Sequence, residues 1–458
     1  MMPKQRIPSS CGYPETAKGG RIRLALLASS CLLALQIALP QPAAASFFDT
    51  FGVSAKGMAL GNAMVSMTEG WESVYYNPAG LALGRDIEVS FGLLCGLPNL
   101  KVAYKEGPEE KQKKSSLSGA PLDTLAGPVF GLVIPVQKCT PKKLPMPWAL
   151  GVGLFVPRQA LVTSRVVGDG YPFDVIFNER NNTLSLYTGL ATRITPAFYL
   201  GVGLAAQLVT PVEMLFTSGG AQNAVDLEAR FGSPSFLFGF LIRPTERIRI
   251  GIVYRDETKV RSQWDTRVKT QYILRYGSRP GSYIALYDDQ TLSTDYVTGY
   301  TPEAVTFGLS YKLVERVRLS GEATWYHWGG YGGPSGTGLP FEFNDVWVLR
   351  LGLLYRLRRD LDLRFGFFYE PTPVSNQGQG FYPIGNDRYV PSAGIGYTFK
   401  DPWGVLAKPV ALDAYFQFHA LKAEEFKRAI PPNPFTLSQD VTSKGYVINL
   451  GCNVTLHF

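Results

Sequence analysis

The sequence predicts an all-β fold, a transmembrane antiparallel β-barrel of about 14 strands with an N-terminal hatch (plug) inside the lumen. Three observations carry this expectation. Segments such as LRLGLLYR (349–356) alternate with period two, so Leu349, Leu351, Leu353 and Tyr355 share one face while Arg350, Gly352, Leu354 and Arg356 share the other. Tight connections alternate with long ones along the chain. An export-type segment stands at the start, and no second apolar run is long enough to span as a helix.

In chain order, Lys18, Arg21 and Arg23 precede an apolar run at 24–39, and Ala43, Ala44 and Ala45 follow. This is the layout of a secretory signal peptide over 1–45. Read instead as a membrane anchor, a run interrupted by Gln36 falls short of the roughly 20 apolar residues a spanning helix needs. Cys31 would suit a lipoprotein, but Ala28, Ser29 and Ser30 are a poor lipidation context. Removal of 1–45 takes away five basic residues and one acidic residue, so the net charge drops from +8 to +4 and indicates no nucleic-acid partner. Cys95, Cys139 and Cys452 remain, an odd and scattered set that makes no disulfide framework. His327, His419 and His457 lack metal-ligand spacing, and neither a metal nor another cofactor is expected.

Residues 46–85 come next, rich in Gly, Ala and Met and ending in ESVYYNPAGLAL. A segment of that length and composition suits a plug packed in a lumen better than a solvated arm. Pro78 removes a donor and pushes Asn77 away from helical geometry, so the Asn77 side chain is free to hold neighbouring backbone in a turn.

The barrel, 86–458, follows. Strands are expected at 86–97, 126–137, 147–157, 183–194, 197–209, 232–243, 247–257, 303–313, 316–328, 345–357, 361–371, 391–400, 409–421 and 444–458. IRIGIVYR (248–255), VTFGLSYK (305–312), LRLGLLYR (349–356) and LRFGFFYE (363–370) repeat one strand type, with Gly at the fourth position and Tyr at the seventh. A soluble sandwich would alternate too, but it requires no long-and-short loop alternation. In the last strand Tyr446, Ile448, Leu450, Cys452, Val454, Leu456 and Phe458 point one way. A closing strand must show an unbroken apolar face to outer-membrane lipid. A terminal phenylalanine resembles the signal read by the outer-membrane assembly machinery, an expected partner through Phe458.

SAKGMALGNA, SVYYNPAGLA, GFLIRPTERIRIGIVYRD, ATWYHW and the aromatic closing strand resemble the FadL/TodX outer-membrane transporters over the whole mature chain. The resemblance implies a cell outer membrane location and uptake of hydrophobic small molecules, long-chain fatty acids or aromatic hydrocarbons. It assigns Asn77, Pro78 and Ala79 to hatch gating, brings Phe47 and Phe48 near a central binding pocket, and makes a kinked wall strand the lateral exit for ligand. Gly151, Gly153 and Pro157, on the third strand, are the candidates for that kink; equally, the glycines let the wall curve. The aromatic loop 258–302, with Trp264, Tyr272, Tyr276, Tyr283, Tyr287, Tyr296 and Tyr300, is a candidate collecting surface. Arg249, Arg255, Arg350, Arg356 and Arg364 face the lumen as carboxylate partners for a ligand or, more economically, for lumen acids such as Glu322 and Glu370. An enzyme is not expected, since no serine and histidine pair on one strand face. A general diffusion porin is the alternative. The absence of a nucleotide motif makes the expected transport passive.

Overall fold

Fourteen antiparallel strands close into a barrel in the computed structural model. It describes residues 47–105, 125–139, 146–156, 184–209, 212–218, 221–227, 230–231, 233–275, 283–331, 343–374, 385–400, 408–428 and 439–458. The strands are β1 (Glu88–Lys105), β2 (Leu125–Pro135), β3 (Trp148–Phe155), β4 (Leu184–Thr195), β5 (Phe198–Val209), β6 (Ser235–Ile242) and β7 (Ile248–Arg255). They continue with β8 (Ala304–Val314), β9 (Val317–Tyr326), β10 (Val346–Arg358), β11 (Leu361–Glu370), β12 (Arg388–Phe399), β13 (Val410–Arg428) and β14 (Gln439–His457). Each pairs with its chain neighbours, and β1 closes the ring on β14, from Glu88 opposite His457 to Lys105 opposite Asp440. Every expected strand is present.

Alternation sets the polarity of the wall. Leu349 and Leu351 are 57% and 61% exposed on the outside, whereas Val348 and Arg350, on either side of Leu349, are 0% and 8% exposed. An apolar outer face and a mixed inner one fit lipid outside and packed protein inside. Tight turns after β4, β6, β8 and β10 lie at the same end as Ile87 and Phe458, whose backbones bond (2.9 Å). In outer-membrane barrels the short turns mark the periplasmic end.

Away from that end the strands run further than the sequence suggested. β1 reaches Lys105, β13 reaches Arg428 past a bulge between Leu421 and Glu424, and β14 starts at Gln439. The segment read as an aromatic loop is a hairpin, Thr258–Arg275 paired with Tyr283–Thr301, joined by Val212–Ser218 and Ala221–Leu227 in a second sheet. Beyond the bilayer neither face has to meet lipid. The apolar alternation that marks a spanning strand therefore fades before the hydrogen-bond ladder ends.

Residues 47–85 pack against the inward face of the wall strands. Three short helices, α1 (Phe47–Phe51), α2 (Ala55–Ala59) and α3 (Ser73–Tyr76), precede a 3-10 turn, Pro78–Leu83. Ser54 caps α2, its Oγ accepting from Gly57 N at 3.1 Å. The chain reverses after α2 through Gly61 and Asn62, both at positive φ, with Gly61 pressed against the backbone of Leu351 and Phe367 on the wall. Phe51, Met58, Leu60, Met64, Val74 and Leu81 are fully buried in the largest apolar core. Residues 1–46, including the expected signal peptide and the small residues before it ends, lie outside the described residues.

Candidate functional site

The glycine repeated at the fourth position of the strand motif is the footprint of the hatch. Gly251, Gly308, Gly352 and Gly366 all face inward, paired as Gly251 with Gly308 and Gly352 with Gly366. A Cβ on Gly308 would stand 3.2 Å from Val65 Cβ, and one on Gly352 would stand 2.9 Å from Leu60 O. Gly251 meets the Val65 carbonyl and Gly366 the Gly61 amide more closely still. Side chains there would push the hatch off the wall.

Asn77, Pro78 and Ala79 sit where hatch meets β5 and β6. Asn77 is extended (φ −160°) and fully buried. Its Nδ2 donates to Val65 O at 2.9 Å within the hatch and to Phe240 O at 3.0 Å on β6, while its Oδ1 accepts from Ala79 N at 3.1 Å. One amide thereby caps the 3-10 turn that Pro78 begins and ties the hatch to the wall. Gly201 and Gly239 leave room for Pro78, Ala79 and the Asn77 amide, and Ala79 packs on Tyr199 and Leu241.

Further anchors circle the lumen. Glu322 accepts from Met64 N and Val65 N, both at 3.0 Å, and pairs with Arg350 at 3.3 Å. Glu88 accepts from Trp71 N (3.0 Å), Gln417 donates to Met58 O (3.0 Å), Ser392 to Ala59 O (3.2 Å), and Asn453 accepts from Ala55 N (2.8 Å). Inside the hatch Tyr76 OH donates to Asn62 Oδ1 at 2.7 Å and accepts from Val53 N. Burial raises the Tyr76 phenol far above its ordinary pKa, so it stays a neutral donor.

The lumen arginines find acids, as the alternative to ligand binding required, and two of those acids come from the hatch. Arg255 pairs with Asp49 at 2.7 Å and Arg249 with Glu69; Arg364 pairs with Asp413, and Arg356 with Asp362 at 3.3 Å. Glu370 pairs with Arg388. Sequence periodicity placed these arginines on the correct face but did not single out Asp49 or Glu69, because hatch residues follow no strand period.

On the side of the long loops lies an aromatic layer. Tyr300 stacks on Tyr331 (4.8 Å) and Trp328 on Phe343 (5.9 Å), with Tyr331 edge-on to Phe343 (5.2 Å). Tyr300 is fully buried here, a correction to its place on an exposed collecting surface; the side chains of Trp264, Tyr272, Tyr276, Tyr283, Tyr287 and Tyr296 lie outside the described residues. The 3-10 turn Trp328–Gly330 that carries Trp328 is clipped by Asp345, which stands 3.0 Å from His327 Nδ1 and accepts from Gly329 N at 2.9 Å.

The Asp345 hydrogen bond lifts the His327 pKa, and Glu303 and Glu257 push the same way. Burial alone would raise Asp345, but the bonds from His327 and Gly329 outweigh it and leave its carboxyl low. The raised histidine contributes fully below its ordinary pKa of about 6.5 and loses that contribution as pH climbs through the folded value. The lowered carboxylate loses its share only in acid. The Gly329 amide is therefore expected to lose protection, relative to an Asp345→Asn variant, as pH rises above about 6.5 in hydrogen exchange. A ratio that stays flat with pH would refute the clip.

Below the hatch, at the short-turn end, a cavity of about 630 Å³ is lined by charge, including Lys56, Glu69, Glu88, Arg318, Arg364 and Asp413. Gly151 and Gly153 face the hatch, where side chains would meet Leu81 and Val74; the β3 ladder runs unbroken through both, to Val133 and Gly189 and to Gly131 and Tyr187. Pro157 lies outside the described residues. Phe47 and Phe48 begin α1, and only their backbone is described. Among the described residues no group of His, Cys, Asp or Glu could hold a metal ion. His419 instead bonds Gln417 at 3.2 Å and lies 3.4 Å from Arg388, and Cys95 and Cys452 are free thiols.

Comparison with known proteins places this architecture. Residues 34–458 match the family model described as outer membrane protein transport protein (OMPP1/FadL/TodX). Alkane uptake protein A of Marinobacter nauticus is 26% identical over 148 residues, 30% of this chain and 32% of that protein, so the match spans about a third of the relative. A FadL homologue of Pseudomonas aeruginosa superposes with a TM-score of 0.59 at 18% identity, covering 88% of this chain and 98% of that one. The toluene transporter TodX of P. putida gives 0.53 at 17% identity, over 90% and 99%. The Ralstonia pickettii toluene transporter TbuX gives 0.52 at 14% identity, over 90% and 100%. At these identities the superpositions establish the barrel fold.

Proposed function

The chain belongs to the OMPP1/FadL/TodX family of outer membrane transport proteins, and on that premise we propose that it carries hydrophobic small molecules passively across the outer membrane, with the hatch as gate. The observation that carries this reading is the contrast across the hatch: buried aromatics on the long-loop side, a charged cavity on the other. An apolar solute gains about 0.8 kcal/mol per CH₂ withdrawn from water. It is drawn into the aromatic layer, and the wet, charged cavity opposes its onward passage to the periplasm.

This favours release sideways, into the bilayer, near β3, a route that requires the β3 ladder, continuous in the resting wall, to part. Val74 and Leu81 fill the space over Gly151 and Gly153. When the hatch shifts and takes those side chains with it, an apolar recess opens against wall strands that carry no side chains at 151 and 153. The Asn77 bonds to Val65 and Phe240 set the resting position of that shift. Each such bond contributes about 0.5–1.5 kcal/mol.

Cells lacking their own porters, expressing the protein intact or as Asn77→Ala, are to be given labelled oleate, toluene or dodecane. At least one is expected to enter above background without an energised partner, and entry is expected to drop several-fold in the variant at equal insertion. No entry despite correct insertion, together with steady ion conductance, would replace this reading by a general diffusion porin.

A further inference from the structure

The structure assigns a specificity role to Asp49. Its Oδ1 accepts from Arg255 Nη1 at 2.7 Å and from Tyr75 OH at 3.0 Å, and its Oδ2 accepts from Thr301 Oγ1 at 3.2 Å. Arg255 is further fixed by donating to Tyr75 O at 2.8 Å and by lying 4.1 Å over the Tyr75 ring. A guanidinium and two hydroxyls converging on two oxygens form a seat for a carboxylate. Thr301 follows Tyr300 of the aromatic layer, and Tyr75 lies edge-on to Tyr187 at 5.3 Å, so the seat adjoins the apolar ground on which a hydrocarbon tail would lie. A cavity of about 50 Å³ beside it is lined by Asp49, Tyr75 and Arg255.

The arrangement is that of a fatty-acid site whose head position is already filled. Asp49 is tethered through α1, so its effective concentration at Arg255 is in the millimolar range or above, far beyond what a sparingly soluble free carboxylate reaches. A cargo carboxylate entering beside it would bury a second negative charge next to the first, which is strongly opposed. The neighbouring lumen arginine Arg350 is already matched by Glu322. We propose, resting on the transport reading above, that Asp49 acts as a built-in carboxylate that restricts the cargo to neutral hydrophobic molecules, alkanes or alkyl-aromatics, and that its removal exposes a seat for carboxylates.

The test is uptake of labelled dodecane and dodecanoate, equal in chain length, by cells without their own porters. They express the full chain as wild type, Asp49→Ala, Asp49→Asn and Asp49→Ala/Arg255→Gln, with insertion measured for each. Wild type is expected to favour dodecane. The ratio of dodecanoate to dodecane entry is expected to rise about tenfold or more in Asp49→Ala, less in Asp49→Asn, which keeps the shape and one acceptor, and to fall back when Arg255 is also replaced. Equal entry of both solutes in wild type, or an unchanged ratio in whichever Asp49 variant inserts normally, overturns the assignment. Entry of neither solute in wild type strikes the transport reading itself and the specificity with it.

Discussion

Replacing Gly251 and Gly366 by valine together is expected to yield a folded barrel that conducts ions steadily, whereas the wild type stays near background in a planar bilayer. The outer face and the ladder are untouched, since valine is a strong strand former and both positions already pair within the sheet. The new side chains point inward, against the Val65 carbonyl and the Gly61 amide. Overpacking an ordinary core costs about 1–3 kcal/mol because neighbouring side chains give way. Here the neighbour is hatch backbone, and Gly61 is held at positive φ in a reversal that cannot slide along the wall. The hatch must leave its seat as a body. A valine double variant that runs as a folded barrel on a gel and stays closed in the bilayer would show that the seat tolerates far more than its geometry implies.

Glu322→Ala is expected to destabilise the protein by about 3–5 kcal/mol, the scale for removing one partner of a buried ion pair. Three donors depend on this carboxylate: the amides of Met64 and Val65 and the guanidinium of Arg350. All are buried, and among the described residues Arg350 keeps the hydroxyls of Thr324 and Tyr326 and the face of Phe368, but no acid, when Glu322 is gone. Glu322→Gln retains an acceptor for the hatch but no counter-charge, so its loss is expected to be smaller. Replacing the pair together, Glu322→Leu with Arg350→Met, is expected to recover much of the deficit. Urea unfolding in lipid vesicles measures all three variants. An alanine variant within about 1 kcal/mol of wild type would mean the hatch does not depend on this anchor.

The barrel was legible in the sequence because its signal is local. A strand that faces lipid must alternate, and residues two apart along one chain record that alternation whatever the strand pairs with. Thus Leu349 and Arg350 could be assigned to opposite faces before any partner was known. The same logic explains the failures. The hairpin Thr258–Arg275 with Tyr283–Thr301 stands beyond the bilayer, where hydrogen bonding continues but the apolar face is no longer imposed. Tyr300, read with its neighbours as a surface residue, proved to be buried, stacked on Tyr331 with Trp328 tilted against it.

The candidate site divides along the same line. NPA stood out because Pro78 fixes its own φ and restricts Asn77 before it, a property of two adjacent residues. What Asn77 holds did not: Phe240 is 163 positions away, and Glu322 reaches Met64 across 258. Asp49 carried no mark at all until Arg255, 206 residues on, was found against it. By itself the sequence determined the presence of the fourteen wall strands, their inward and outward faces and the recurrence of one glycine in four strands. Only closure of the barrel decided what those glycines admit and which arginine meets which acid. Periodicity constrains a strand along its own axis, whereas contacts across a lumen depend on how fourteen strands are staggered around a ring and on how an aperiodic segment packs within it.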